Sequence, residues 1–289
     1  MTDTKKINTL IIVCCHAIWI GEPESKAFGP SNVEDGWLIS SFQTGETPTF
    51  IKHIQAGLDT LRSNPNAILV FSGGRTKPER TNLTEAGTYM DFLINTQPGA
   101  FQKNLDRLFC ESSATDSFQN ILFSLLSWPR FVQECYSHRA SMFPDSTAEK
   151  FDVPPSPRQL VVIGHEFKRA RFEELHLPAL RHPTDLSRFK YIGIDPPFSE
   201  QKMREIKEGD AKSGYGAWKD DLYGTGALLA EKRVARGWTK EGMEGLTKFW
   251  TEKLPASAAR KKETREQFEK IIAFVKGTEK DFPEKAPWS

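Results

Sequence analysis

Short apolar runs recur along the chain at Thr9–Cys15, Ala67–Phe71, Leu108–Cys110, Leu160–Ile163 and Tyr191–Ile194. Each is too short for a helix and almost continuously apolar, the pattern of a strand covered on both faces. Between them the apolar spacing changes to that of a helix. Phe50, Ile51, Ile54, Leu58 and Leu61 form one such stripe, opened by Thr47 as N-cap with Pro48 behind it and stopped by Asn64-Pro65-Asn66. Asn82–Ile94 reads as a helix with Asn82 and Glu85 in capping-box spacing. Phe118, Ile121, Leu122, Leu125 and Leu126 mark a helix from Asp116 that Pro129 ends or kinks. Lys168–Leu175 also looks helical. After Ser199 the pattern weakens, leaving helices over Asp221–Arg236 and Glu263–Lys276. Gly21–Gly45 reads as a long loop over the edge of a site. Ser141–Arg158, with four prolines, reads as a surface insertion.

Strand and helix thus alternate with connections too long for hairpins. The expected fold is α/β, a parallel central sheet with flanking helices. Residues 1–198 would form this unit, and residues 199–289 a helical C-terminal extension packed on it.

Composition narrows the function classes. The 289 residues carry a formal charge of +1, without the clustered basic excess that nucleic acid requires. Basic runs such as Arg260–Lys262 read as the solvated side of a helix. No run approaches the roughly 18 apolar residues of a membrane span. Leu10–Ile20 is interrupted by His16 and lacks a small-residue cleavage site, so it reads as core strand rather than leader. The four cysteines, Cys14, Cys15, Cys110 and Cys135, form no C-x-x-C pair. A cytoplasmic protein with free thiols is expected.

Ligands of open parallel sheets sit beyond the carboxyl ends of the strands. Those ends carry His16, then Ser72-Gly73-Gly74-Arg75, then Glu111-Ser112, then Gly164-His165-Glu166, then Asp195. Gly73 and Gly74, before Arg75 and a helix start, suggest either a turn needing positive φ or an anion cradle of backbone amides. Glu85, as third residue of a capping box, has a structural role and lies near the same sheet end. Glu111, His165 and Glu166 are the candidates for acid–base work. A metal site from His16, Glu111, His165 and Asp195 is a further option, but no spacing fixes its ligands, so no bound metal is expected. His165-Glu166 is not the zinc-protease motif, since Arg169 stands where the second histidine is required. A hydrolase nucleophile elbow and a P-loop are both absent.

Over Asn8–Ile194 the chain resembles the YdcF/SanA/ElyC-like domain family, a domain of unknown function. The likeness rests on Val70-Phe71-Ser72-Gly73-Gly74 and Thr84-Glu85-Ala86, then on Glu111 and Asn120, then on the segment from Val162 through Lys168 to Arg171. Ala114, Ser117 and Gln119 depart from the family's serine, threonine and glutamate, and Lys168 stands in place of its histidine. Asp195-Pro196-Pro197-Phe198 and Asp221-Leu222-Tyr223-Gly224 look like a fungal branch. The resemblance implies a Rossmann-like fold. For one bacterial member it implies S-adenosylmethionine binding, and for others a role in cell-envelope maintenance.

The preferred expectation is a small anionic or nucleotide-like ligand at the strand ends. Ser72, Gly73 and Gly74 would supply donors, Arg75 and Arg171 charge, and Glu85, Glu111 and Asn120 orienting groups. His16, Ser112, Gly164 and His165 lie at the same ends. The alternatives are a metal-assisted or acid–base hydrolase using His16, Glu111, His165 and Glu166, and a scaffold whose site has decayed. A cavity closed by bulky side chains would favour the scaffold.

Overall fold

A computed structural model describes residues 6–21, 33–142, 153–240 and 262–289. Its centre is a five-stranded parallel sheet in the order β6-β5-β1-β7-β8. The strands are β1 (Thr9–Cys14), β5 (Ala67–Ser72), β6 (Leu108–Glu111), β7 (Gln159–Gly164) and β8 (Phe189–Gly193). Every apolar run of the sequence is therefore a strand, within a residue or two at each end. In chain order the sheet reads 3-2-1-4-5, the Rossmann-like arrangement, with its switch point between β1 and β7.

Alternation along the strands divides the core into two layers. Leu10, Ile12 and Cys14 of β1 share one buried cluster with Ile68, Val70, Leu160 and Val162. Ile11, Val13 and Cys15 join the other, with Leu69, Phe71, Val161 and Ile163. The second layer is covered by α1 (Thr47–Ser63) and α2 (Glu85–Thr96), which contribute Phe50, Ile54, Leu58, Tyr89 and Leu93. A short helix, α3 (Pro98–Asn104), follows α2.

The first layer is covered by α4 (Ser117–Met142), which runs through Pro129 instead of stopping there. A proline inside a helix costs about 3 kcal/mol. Beyond it, however, Phe131, Val132, Cys135 and Tyr136 are all buried, and each large apolar side chain contributes about 1.5–3 kcal/mol. The Tyr136 hydroxyl also accepts from the Ile7 amide at 2.9 Å. Burial outweighs the local penalty, so the expected helix end at Pro129 does not occur.

Within the stretch read as a loop over Gly21–Gly45, β3 (Val33–Glu34) and β4 (Trp37–Leu38) form a small antiparallel sheet with β2 (Ile18–Trp19), which precedes it, in the order β2-β4-β3. Asp35 and Gly36, both at positive φ, make its tight turn. Residues 22–32 of that stretch lie outside the described residues. So do residues 143–152 of the expected insertion, and Arg260 and Lys261 of the basic run.

Arg171–His176 form a π-helical turn that continues into α5 (Leu177–Ala179). The C-terminal region is helical and more regular than its pattern suggests. It comprises α6 (Glu200–Asp210), a π turn at Ala211–Gly216, α7 (Ala217–Asp220), α8 (Ala227–Ala235) and α9 (Lys262–Lys276). Asp221–Gly226, read as helix, is a turn in which the Asp221 carboxylate accepts from the Thr225 and Gly226 amides. Trp218, Leu229, Phe268, Ile271 and Trp288 lie in the same cluster as β1. The Trp288 indole donates to the Leu180 carbonyl at 2.8 Å.

Candidate functional site

β1 and β7 are adjacent, and the chain leaves them toward opposite edges of the sheet. Between their ends lies a group of imidazoles. The ring centroids of His16 and His165 are 4.4 Å apart, and His53 of α1 sits 5.6 Å from His16 and 5.0 Å from His165. The His53 Nε2 bonds the Ile194 carbonyl at 2.9 Å, while Glu46 at the start of α1 reaches His165 Nε2 at 3.5 Å. Burial first, then the Lys168 charge, pushes His16 and His165 well below the ordinary histidine range. These rings are therefore neutral at pH 7. His16 Nε2 and both ring nitrogens of His165 have no hydrogen-bond partner among the described residues.

Two chambers open beside this group. The inner one holds about 220 Å³ and is bounded by Cys14, His16, Thr76, Lys77, Glu85 and Asn120, among others. The outer one holds about 620 Å³ and lies between the strand ends and α6–α8, with Phe167, Ile206, Trp218 and Leu229 in its walls. Phe42, Asp116, Lys168, Arg171 and Arg236 border both.

Cations dominate the shared border. Lys168 has no side-chain hydrogen bond or ion pair among the described residues, its ammonium lying 5.5 Å from the Phe167 ring centroid. Its ammonium is lowered to about 8 by burial and then by the Arg171 charge, with Glu46 opposing. Arg171 pairs with Asp210, reaches the Ser117 hydroxyl at 3.4 Å and leaves its Nε unbonded. Burial lowers it to about 10. Arg236 donates to the Thr115 carbonyl at 2.9 Å, and Lys77 to the Ser40 hydroxyl at 3.0 Å. Asp116 is neutralised by Arg233 at 2.6 Å and caps α4 through the Gln119 amide. On the opposite wall Glu85 accepts from the Thr76 hydroxyl at 2.5 Å. Burial raises its carboxyl to about 7, with the Thr76 bond opposing. The Cys14 and Cys15 thiols are pushed up by burial and stay protonated, so neither offers a thiolate.

The glycine corner after β5 is a different construction. The Gly73 amide donates to the Glu111 carbonyl at 3.0 Å and the Gly74 amide to the Ala114 carbonyl at 2.6 Å. Their carbonyls accept from the Ala86 and Glu85 amides, so they satisfy the first turn of α2. Neither the amides nor the helix N-terminus are left for an anion, and the expected cradle is closed. Positive φ is not the reason for the glycines either, because neither appears among the residues in that region. A Cβ on Gly73 would stand 2.9 Å from Cys15 Cβ, and one on Gly74 2.9 Å from the Ala114 carbonyl oxygen. The glycines allow close packing.

The capping box at Asn82 and Glu85 is likewise not formed. Thr84 caps α2, accepting from the Gly87 amide at 3.1 Å, and Glu85 is the first helical residue. That start turns Glu85 into the inner chamber.

Of the residues singled out from sequence, the structure brings His16, Glu85, Asn120, His165 and Arg171 to the chambers. Ser72 and Glu111 are buried beneath the floor. The Ser72 hydroxyl donates to Glu111 at 2.7 Å, and Glu111 also accepts from the Ser113 and Ala114 amides. Arg75 is exposed and bonds Asn82. Ser112 meets Thr84 at the surface, Glu166 pairs outward with Arg169, and Gly164 packs under the Tyr191 hydroxyl. Asp195 accepts from the Phe167 amide and orders that turn.

Sequence reasoning missed Glu46, His53, Lys77, Asp116 and Arg236, and treated Lys168 only as a replaced histidine. Lys168 and Arg171, three apart on one turn, were the available signal. Gln119, in place of the resembled family's glutamate, accepts from the Thr115 amide and hydroxyl and serves the loop before α4. Among the described residues no group of three His, Cys, Asp or Glu side chains is placed to hold a metal ion. No helix among them is long and apolar enough to cross a membrane.

Fold and site together define an α/β protein of Rossmann-like architecture with a basic cavity at the switch point. No protein-family model matches the chain. No solved structure matches it either. The uncharacterized protein YOR238W of Saccharomyces cerevisiae is similar, at 26% identity over 263 residues that cover 78% of this chain and 82% of the yeast protein.

Proposed function

We propose that the protein binds a small organic anion in the inner chamber, held by Lys168, Arg171 and Arg236. The observation that carries this reading is Lys168, an ammonium with no carboxylate in ion-pair contact among the described residues and Glu46 acting on it only at longer range, set against two arginines at a cavity border. Desolvating an unpaired cation is unfavourable, and an incoming anion relieves that cost. A phosphate ester, nucleotides included, suits the place, because planar guanidinium groups and an ammonium match phosphate oxygens. S-adenosylmethionine suits it less, since its sulfonium adds positive charge to this lining. The likeness to the YdcF/SanA/ElyC-like family belongs to the same reading. It is supported by the Ser72-Gly73-Gly74 strand end and by the parallel strand order. A cytoplasmic location is also part of the proposal, supported by Cys14, Cys15, Cys110 and Cys135 being free thiols.

The test is calorimetric titration with inorganic phosphate, pyrophosphate and S-adenosylmethionine, on the parent and on Lys168→Met. Phosphate or pyrophosphate should bind the parent and bind Lys168→Met at least about tenfold more weakly, the roughly 1.4 kcal/mol of one charge-assisted hydrogen bond. Absence of binding by both phosphates, or equal binding to both proteins, would overturn the reading.

Hydrolysis in the same chamber is a second reading, favoured by one observation. Glu85, raised to about 7, is the kind of carboxyl that exchanges protons near neutrality and faces the cations. In this form it would take the proton from a water attacking the bound ester. Glu111 and Glu166, which face away from the chambers, have no part in it. Release of nitrophenol from p-nitrophenyl phosphate, lost in Glu85→Gln with phosphate binding retained, is the expected result. An equal rate in Glu85→Gln would remove the reading.

A further inference from the structure

The two chambers differ in what they offer, and the difference specifies the rest of the ligand. The wall of the inner chamber is mostly polar. That of the outer chamber is mostly apolar. Several charged groups of the outer chamber are already used by the protein. Arg171 is paired with Asp210 and Arg233 with Asp116. Lys232 donates to the Ser213 carbonyl, and Lys202 donates to the Thr44 carbonyl and lies over the Phe198 ring. Beside them the wall is formed by the apolar side chains of Phe42, Phe167, Ile206, Trp218 and Leu229. Phe42 is 74% exposed at the border of both chambers, so its ring is open to an apolar group entering there. Phe167 stacks on His165 at 5.0 Å and lies under the Lys168 ammonium at 5.5 Å, so an apolar surface begins where the cations end.

Resting on the anion-binding reading, we infer that the ligand is an amphiphile, a phosphate monoester with an apolar alkyl or aryl body. The phosphate takes the inner chamber beside Lys168, Arg171 and Arg236. The body lies in the outer chamber against Phe42, Phe167, Ile206 and Leu229. The sizes agree with this division. About 220 Å³ accommodates a phosphate with its first atoms, while about 620 Å³ falls within the ordinary range for an organic ligand. α6 and α8 complete the apolar wall, which gives the C-terminal region a function in choosing the body.

Competition calorimetry with inorganic phosphate, hexyl phosphate, hexanol and adenosine monophosphate tests this. Hexyl phosphate should bind at least tenfold more tightly than inorganic phosphate, and hexanol should bind far more weakly than either. Ile206→Asn should abolish the hexyl advantage and leave inorganic phosphate affinity unchanged. Leu229→Ala is the second variant, with circular dichroism establishing that each is folded. Equal affinity for hexyl and inorganic phosphate would overturn the amphiphile while leaving anion binding intact. So would tighter binding of adenosine monophosphate than of hexyl phosphate, or a retained hexyl advantage in both variants. Failure of every phosphate to bind would overturn both readings, and hexanol binding as tightly as hexyl phosphate would overturn the placement of the head.

Discussion

The ends of β5 and β7 flank β1 on either side, and both run into glycine followed by polar residues, yet they are built to opposite purposes. After β5, the Gly73 and Gly74 amides and carbonyls are all bonded, and Glu111 holds Ser72 and the following loop. After β7, His165 has two unbonded ring nitrogens and Arg171 an unbonded Nε, while the Lys168 ammonium faces the Phe167 ring without a carboxylate in ion-pair contact among the described residues. Buried polar groups are normally satisfied. A corner that satisfies all of its own is structural, whereas one that leaves several open is where a ligand can complete the set. The motif most conspicuous in sequence belongs to the first kind.

The sharpest way to break this comparison is Glu111→Ala. It strands the Ser113 and Ala114 amides, each costing about 1–3 kcal/mol, while the Ser72 hydroxyl keeps Asn120 as acceptor, so a loss of about 3 kcal/mol is expected in urea unfolding. Unchanged stability with lost phosphate binding would move Glu111 from the floor to the site. Gly73→Ala follows. The added methyl meets Cys15 and Glu85 and should destabilise by about 1–3 kcal/mol, with phosphate affinity unchanged in the folded fraction.

Lys168→Met should act the other way round, weakening phosphate binding about tenfold, or about 1.4 kcal/mol, while raising stability at pH 7, where the parent carries the cost of a buried ammonium. Its pH dependence has a definite sign. The ammonium titrates at about 8 in the folded chain against 10.5 in the unfolded one, so the unfolded state binds more protons between these values. Parental stability should therefore gain a rising contribution from pH 8 to 10.5 that Lys168→Met lacks. Phosphate affinity should fall above pH 8 as the ammonium discharges.

Glu85→Gln tests the wall between the two corners. Its carboxyl is raised from 4.5 to about 7, so the folded state binds more protons across that window and stability falls as pH rises through it. Glu111, also raised to about 7, contributes to the same slope. The variant should show a shallower decline and a net gain of about 1 kcal/mol at pH 8, after allowance for the weakened Thr76 bond. Arg75→Ala should do least, within about 0.5 kcal/mol in stability and without change in phosphate affinity, since Arg75 is exposed and outside both chambers.

Much of the fold was legible because it follows from short-range pattern. The apolar runs at Thr9, Ala67, Leu108, Leu160 and Tyr191 can be buried on both faces only as inner parallel strands. The Phe50–Leu61 stripe can pack only as a helix. Pro129 was misread because its local cost is visible in sequence, while the burial of Phe131, Val132 and Tyr136 that offsets it is not. Ile18–Trp19 and Trp37–Leu38 were missed because two-residue strands carry no period.

The sequence by itself determined that a parallel sheet exists, that its carboxyl ends are polar, and that His16, Glu85, Asn120, His165 and Arg171 stand near them. Tertiary structure decided which of these ends is open. That outcome depends on contacts between segments far apart in the chain. Gly74 meets Ala114, Ser72 meets Glu111, Glu46 meets His165, and Arg236, just past the end of α8, arrives beside Thr115. A hydrogen bond made across so many residues leaves no trace in local spacing. Whether a polar group is satisfied or left for a ligand is therefore settled only when the chain has folded.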